Sequence, residues 1–408
     1  MHENEDVAHG PAKLKVVGVG GGGCNAIDRM IEQNVQDVEY IALNTDAQVL
    51  ANCHAPIRLQ IGANVTMGMG TGGNATIGLK AAEESEQDIK ELLQGANMVF
   101  ITAGMGGGTG TGGAPVVAKI ARGLGALTVA VVTKPFSFEG GRRLKAALEG
   151  ITQLQENVDT MIVIPNDRLL QVVDKKATLP QAFLAADEML KQGIQGITEI
   201  ITSTGMVNVD FEDVRSIMGN AGAALMAIGV GKGEHRAADA AASAIKSKLL
   251  EVTIDGAKGV LYVIKGSHGL TLLEVNEAAE IIRQMVDPEA NIIFGAAIDE
   301  NMGDEVQITI IATGFSGVAK AVPVRREAIP AQRPVQQVAT QQPTPMRTMP
   351  QSQPQVRTTP QPLTSPWKPS SSNIIDFTAR AATKPVVVDV IVDDDEVPAF
   401  LRRAQQSK

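Results

Sequence analysis

Apolar positions along the chain follow two patterns. Short stretches that are apolar at nearly every position, "KLKVVGVG" (13–20), "VEYIALNTD" (38–46), "NMVFITAG" (97–104), "LTVAVVTKP" (127–135) and "MIVIPN" (161–166), predict strands buried on both faces. Between them the spacing changes to that of a helix: "GGCNAIDRMIEQN" (22–34) places Ile27, Met30 and Ile31 on one side, and "APVVAKIARGL" (114–124) predicts another helix. Strands alternating with helices, each strand without a polar face, imply an α/β fold with a parallel sheet covered on both sides. A long helix is then predicted from Leu179 to Ser203, with Phe183, Leu184, Met189, Leu190, Ile194, Ile197 and Ile201 as its apolar positions. Beyond it a second, smaller α/β unit with a mixed sheet is expected. Its strands are "ALMAIGVG" (224–231), "GVLYVIKG" (259–266), "NIIFGAAID" (291–299) and "VQITIIATG" (306–314), and its helices start at Arg236 and Thr271.

Composition sets limits on this picture. The chain has 408 residues and a formal net charge of -9, which argues against a nucleic-acid-binding surface. No apolar run approaches the roughly 18 residues of a membrane span, and "MHENEDVAHG" at the start has no apolar stretch, so a cytosolic protein without membrane insertion is expected. Two cysteines, Cys24 and Cys53, give neither a disulfide framework nor a thiolate metal site. Soon after Ala319 the chain turns to "RPVQQVATQQPTPMRTMPQSQPQVRTTPQP", too poor in apolar residues to offset the entropy of ordering, and it reads as a disordered linker. The expected organisation is a flexible arm (1–12), a nucleotide-binding domain including the long helix (13–205), a second α/β domain (206–317), a linker (318–385) and a tail (386–408).

Glycine is concentrated in "GVGGGGCN" (18–25), "IGANVTMGMGTGGN" (61–74) and "GMGGGTGTGG" (104–113), the first and third directly after predicted strands. A glycine loop leading from a strand into a helix offers unpaired backbone N–H groups and the positive end of a helix dipole, a combination suited to phosphate. Gly18, Gly20 and Gly23 satisfy G-x-G-x-x-G, with Asp46 where a ribose-binding acid would fall, so an NAD-binding enzyme is one reading. It leaves the later "GGGTGTG" unexplained. A P-loop is excluded, because the chain has no G-x-x-x-x-G-K-[ST].

The segment "GGGTGTG" (106–112) resembles the signature of the tubulin/FtsZ family of GTPases. "VGVGGGGCNA", "LNTDAQ", "KPFSFEGGRR", "IPNDRLL", "NVDFEDVR" and "NIIFGAAIDENMGDEVQITIIATGF" extend the resemblance over about 13–315. It implies a GTP- and GDP-binding domain, a long central helix, a second α/β domain, assembly with itself head to tail into filaments, and a place in the cytoplasm at the mid-cell division ring. Carried over to this chain, Gly21, Gly22, Gly23, Cys24 and Asn25 line the first phosphate loop, and Gly108, Thr109 and Gly110 cradle the outer phosphates, with the Thr109 hydroxyl as a donor. Glu139 and Arg143 hold the ribose region, Asn166 and Asp187 read the base, and Phe183 stacks on it. Neither phosphate loop contains a lysine, so charge neutralisation falls to backbone dipoles and to Mg²⁺, for which no protein ligands are assigned. The family carries a lysine-rich version of "EGGRR", so no lysine role transfers to Gly141.

In "NVDFEDVR", Asp210 is a natural N-cap and Asp213 a first-turn acid on local grounds alone. The resemblance adds Asn208, Asp210 and Asp213 as groups that activate the attacking water for the nucleotide of the next subunit; the two roles are compatible. A structural filament without turnover remains the other alternative. At the far end of the chain, Val397, Phe400 and Leu401 fall on one helical face behind Asp393 to Glu396 and Pro398, an anchor pattern. The last residues also resemble the family's C-terminal partner-binding peptide, which implies that residues 393–408 bind membrane-tethering and regulatory cell-division proteins.

Overall fold

The computed structural model describes residues 12–35, 37–173, 176–202, 209–247 and 253–315. The predicted arm (1–12) except for Ala12, together with Asn208, the linker and the tail, lies outside the described residues. In chain order the elements are β1 (Leu14–Val19), α1 (Gly20–Glu32), β2 (Glu39–Asn44), α2 (Ala47–Asn52), β3 (Ile57–Gln60), α3 (Ala63–Thr66), α4 (Ala75–Glu84), α5 (Glu86–Leu93), β4 (Met98–Gly104), α6 (Thr109–Gly123), β5 (Leu127–Lys134), α7 (Gly141–Gln155), β6 (Thr160–Pro165), α8 (Asn166–Leu169) and α9 (Leu179–Thr202). There follow α10 (Phe211–Met218), β7 (Gly222–Lys232), α11 (Arg236–Ile245), β8 (Gly259–Gly266), α12 (Leu272–Arg283), β9 (Asn291–Ile298) and β10 (Glu305–Thr313).

The first six strands pair in parallel in the order β3-β2-β1-β4-β5-β6. Successive residues of a strand face opposite sides. Val16, Phe100 and Val129 therefore pack with Ile27 and Met30 of α1 and with Leu190, Ile194 and Ile197 of α9. Val17, Ile101 and Ala130 pack on the other face with Val117 and Ala121 of α6 and with Leu154 of α7. The expected alternation is thus observed, and so is the long helix.

The second unit does not build a sheet of its own. Thr160–Ile162 of β6 pair in parallel with Gly222–Ala224 of β7. Further along, β7 pairs antiparallel with β10, β10 antiparallel with β8, and β8 parallel with β9. The result is one ten-stranded mixed sheet. Helices α11 and α12 cover its far half through Ala237, Ala240, Ala244 and Ile282.

The glycine tracts depart from the expectation of open loops. α1 begins at Gly20 and α6 at Thr109, so most of the first tract and the second half of the third are helix. Glycine is a poor helix former, and tertiary packing overrides that propensity here. A Cβ at Gly23 would lie 2.5 Å from the Thr102 carbonyl oxygen, and one at Gly112 only 2.0 Å from the Ala75 carbonyl oxygen and 2.5 Å from the Leu79 nitrogen. One at Gly78 would lie 2.2 Å from the Gly108 carbonyl oxygen. α4 and α6 thus meet backbone to backbone.

This contact predicts opposite effects for two substitutions in one helix. Gly112→Ala meets immovable backbone and should destabilise by about 1–3 kcal/mol. Gly123→Ala, with nothing within 4 Å of its Cβ position, should stabilise by about 0.5–1 kcal/mol. Urea unfolding midpoints of the two variants are the check. An unchanged midpoint for Gly112→Ala would show that packing is not what excludes a side chain there.

Candidate functional site

In a parallel sheet of this strand order, β1 and β4 are neighbours whose following helices cover opposite faces, and a crevice opens beyond their carboxyl ends. A cavity of about 400 Å³ lies there, lined by Val19 at the end of β1, Gly104 at the end of β4, Thr133 of β5 and Asn166 just past β6. Gly21 and Gly22 of α1 and Thr109 and Gly110 of α6 line it as well, so the first turns of two helices border one space. Neither first turn carries an acid. Their N–H groups and dipoles make this end of the cavity favourable to an anion.

The wall is backbone because little else fits. Cβ atoms at Gly22 and Gly110 would lie 3.1 Å from the Gly104 nitrogen and the Val19 carbonyl oxygen, and one at Gly108 only 2.0 Å from the Thr71 hydroxyl. Gly21 has nothing within 4 Å of its Cβ position, so its exposed backbone faces a space where a ligand can approach. The Thr109 hydroxyl is buried 2.6 Å from the Thr45 hydroxyl and 3.4 Å from that of Thr71. The expected phosphate donor is therefore already part of a hydroxyl cluster, a partner set that the sequence did not reveal.

The opposite end of the cavity is of different chemistry. Phe183 on α9 is 39% exposed and meets Phe136 edge-on at 5.4 Å, while Phe136 stacks on Phe138 at 4.9 Å. One turn further along α9 stands Asp187, whose carboxyl burial pushes up to about 7 against the opposing pull of Arg29. Asn166, 5% exposed, carries a buried Oδ1 without a hydrogen-bond partner among the described residues. Such an orphaned acceptor is costly unless something else satisfies it. Glu139 and Arg143 form an ion pair on this side, with Glu139 Oε1 accepting from the Phe136 amide at 2.9 Å.

The cavity thus brings together Gly21, Gly22, Asn25, Gly108, Thr109, Gly110, Glu139, Arg143, Asn166, Phe183 and Asp187. Gly23 and Cys24 are not in its wall. Gly23 is spent on contact with β4, and the Cys24 side chain, 1% exposed, turns into the core with Asn44 Nδ2 at 3.8 Å from its sulfur. Of the "IGANVTMGMGTGGN" stretch, Thr71 reaches the cavity. Asp46 caps α2, accepting from the Gln48 and Val49 amides at 2.9 and 3.1 Å, and is absent from the wall, which removes the basis of the NAD reading. Met105, Gly107 and Pro135, from the quoted glycine tract and the "KPFSFEGGRR" segment, complete the lining with Ala186 and Leu190, which no motif singles out in the sequence.

Asp210 and Asp213 lie elsewhere. Asp210 Oδ1 accepts from the Asp213 amide at 2.8 Å, and Asp213 Oδ2 accepts from the Asp210 amide at 3.4 Å, the capping box of α10. The cavity touches the beginning of α9 through Phe183 and Asp187, whereas Ile201 and Thr202 at its end lie beside Lys13, Leu14 and Glu39 at the strand starts. α10 closes on that same edge, where Thr160 at the start of β6 donates to the Met218 carbonyl. Both acids are exposed. Among the described residues no cluster of three or more His, Cys, Asp or Glu side chains could hold a metal ion, and no helix is long and apolar enough to cross a membrane.

Comparison with known proteins agrees with this geometry. Residues 13–174 match the GTPase domain of the tubulin/FtsZ family, and residues 222–316 match the C-terminal domain of the FtsZ family. Among solved structures, the FtsZ of M. jannaschii, described as an empty dimer, is 46% identical, with a TM-score of 0.72 over 75% of this chain and 89% of that one. CetZ1 from Haloferax volcanii, a GDP-bound monomer, is similar in fold at 21% identity, with a TM-score of 0.66 over 75% of this chain and 96% of that one. CetZ2 from the same organism, a GTPγS-bound protofilament, is similar in fold at 20% identity, with a TM-score of 0.64 over 74% and 92%. The chain belongs to the tubulin/FtsZ family and is a cytoskeletal GTPase.

Proposed function

We propose that this GTPase assembles head to tail into the filaments of a cytoplasmic, mid-cell division ring, and that each bound GTP is hydrolysed with acids supplied by the next subunit. The observation that carries the guanine assignment is the buried Asn166 Oδ1, without a hydrogen-bond partner among the described residues, in the same wall as Asp187. An ionised Asp187 can accept both N1–H and N2–H of guanine, and adenine offers no such pair of donors. The phosphates then fall to the N–H-rich end formed by Gly21, Gly22, Gly108 and Gly110, while Glu139 and Arg143 flank the sugar. Phe183, at the rim, covers the base.

Mg²⁺ fits this site as a companion of the phosphates rather than as a resident ion. The cavity wall holds no lysine, its arginine is paired with Glu139, and no carboxylate cage is present among the described residues. A cation entering on the nucleotide would supply the missing neutralisation.

The in-trans reading is supported by distance. From Asp187 to Thr202, α9 covers about 22 Å at 1.5 Å per residue. Asp210 and Asp213 follow Thr202 on the edge away from the cavity, so neither reaches its own nucleotide. In a head-to-tail contact that edge faces the next cavity, and carboxylates there can orient the attacking water and take its proton. Such a contact is heterologous and builds a filament when it does not close. The dimer and protofilament descriptions of the FtsZ and CetZ2 structures support self-association. In this reading residues 13–205 bind the nucleotide, 206–317 carry the acids, 318–385 act as a tether, and 386–408 hold the partner-binding segment.

Calorimetric titration should give tighter binding of GTP than of ATP or NAD; equal or tighter ATP binding would sink the guanine assignment. The carboxyl of Asp187, raised to about 7, must lose its proton to accept two N–H groups. GTP affinity should therefore fall as pH drops below about 7, by up to about tenfold per unit, and level off above it. Asp187→Asn should weaken binding and flatten that slope, and a wild-type affinity equal at about pH 5.5 and about pH 8 would contradict the role.

For the tail, deletion of residues 393–408 should leave GTP turnover intact and abolish recruitment to vesicles coated with membrane-tethering adaptor proteins, measured by co-sedimentation. Undiminished recruitment would return Val397, Phe400 and Leu401 to the status of a solvated end.

A further inference from the structure

The two cysteines of the chain are distant in sequence and adjacent in the fold. Both are buried in the same core, Cys24 at 1% and Cys53 at 4% exposure. Cys53 closes α2, and its thiol donates to Asp28 Oδ1 at 3.1 Å. Asp28 lies one turn along α1 from Cys24, on the same helical face. The carboxylate oxygen that receives the Cys53 thiol also accepts from the His54 amide at 2.6 Å, so the end of α2 is laced to α1 beside Cys24. Neither sulfur has a task in the cavity, and no metal cluster claims them among the described residues.

We infer that Cys24 and Cys53 form a disulfide under a peroxide-class oxidant, and that this bond weakens nucleotide binding; the second half rests on the nucleotide reading above, and the first does not. Position divides the roles. Cys53 closes the short helix α2 and is the sulfur that local opening exposes and frees from Asp28 to ionise. Cys24 lies deeper, its pKa raised by the neighbouring Cys53 side chain and by burial, and keeps its proton. The Cys53 thiolate attacks the O–O bond of hydrogen peroxide, giving a sulfenic acid and hydroxide. The Cys24 sulfur then displaces the hydroxyl from the sulfenic sulfur while its thiol proton leaves with that oxygen as water. Two thiols and one peroxide become one disulfide and two waters. Access to Cys53 needs only local opening of α2, a six-residue helix whose end runs into exposed His54 and Pro56.

The bond would act on the cavity because α1 cannot absorb a shift. Cys24 is flanked by Gly23, whose Cβ position lies 2.5 Å from the Thr102 carbonyl oxygen, and by Asn25, which lines the cavity. Drawing the Cys24 sulfur toward Cys53 also breaks its contact with Asn44. Asn44 immediately precedes Thr45, which holds the Thr109 hydroxyl. Both routes end on groups of the phosphate side. Disulfides in reducing compartments are rare and, where they form, are transient and redox-sensing.

The full chain, treated with hydrogen peroxide and then digested, should yield one Cys24–Cys53 linked peptide and an intact mass lower by two hydrogens. Its GTP affinity should fall by about tenfold, in the usual range of coupling between sites, and recover with dithiothreitol. Cys53→Ser should lose no hydrogens and keep its affinity through the same treatment. Oxidation confined to separate sulfinic acids, or a linked peptide with unchanged affinity, would overturn the inference. A reduced chain that binds no GTP while still forming the linked peptide would instead count against the nucleotide reading.

Discussion

The site depends on two helix starts packed so closely that most of their Cβ positions fall against neighbouring backbone or side chains. The first turn of α1 lies against the carboxyl ends of β1 and β4, and the start of α6 lies against α4 and the Thr71 hydroxyl, at Gly23, Gly108 and Gly112 at distances that only glycine tolerates. Filling such contacts costs on the order of 1–3 kcal/mol per side chain. The arrangement fixes two sets of unpaired N–H groups and two positive dipole ends around one cavity without a basic side chain in the phosphate loops. Affinity for an anion at this end is therefore a property of the backbone. Side-chain chemistry is left to the other end of the cavity, where a buried acceptor, a carboxyl held near neutrality and a phenylalanine rim meet.

α9 converts that local site into a polar molecule. It starts in the cavity wall at Phe183, packs Gly193 against Val131 and Gly196 against Thr309, and ends beside the strand starts. Because β7 pairs with both β6 and β10, the sheet beneath it is continuous from the nucleotide half to the far half. In the proposed reading the cavity and the α10 acids thus lie toward opposite ends of the strands of one continuous sheet. A copy of the chain stacked in the same orientation would bring one edge to the other.

Much of this was legible in the sequence, for identifiable reasons. Strands buried on both faces leave uninterrupted apolar runs, so β1, β2, β4, β5 and β6 could be read directly, and α9 announced itself through seven apolar positions at helical spacing. β3, at the sheet edge and only Ile57–Gln60, left too short a signal. At the starts of α1 and α6 glycine propensity opposes a helix, and only packing against α4 and β4 reverses it. The resemblance places Gly23 and Cys24 in the phosphate loop with their neighbours, whereas the first serves helix–strand contact and the second faces the core. Motif glycines mark close approach, and the sequence does not say to what. Thr133, Pro135 and Leu190 reach the cavity from strand ends and a helix face, positions that only the assembled sheet defines.

The central claim is that each cavity is completed by acids of the next copy, and complementation tests it directly. Asp187→Ala should disable the cavity and keep the acids, while Asp213→Ala should keep the cavity and lose an acid. Each variant alone should show little GTP turnover while still co-sedimenting with the other. In an equimolar mixture, random pairing puts an intact cavity against an intact acid at about a quarter of the contacts, so turnover should recover to about a quarter of the wild-type rate. A co-sedimenting mixture as inactive as its two components would contradict the account.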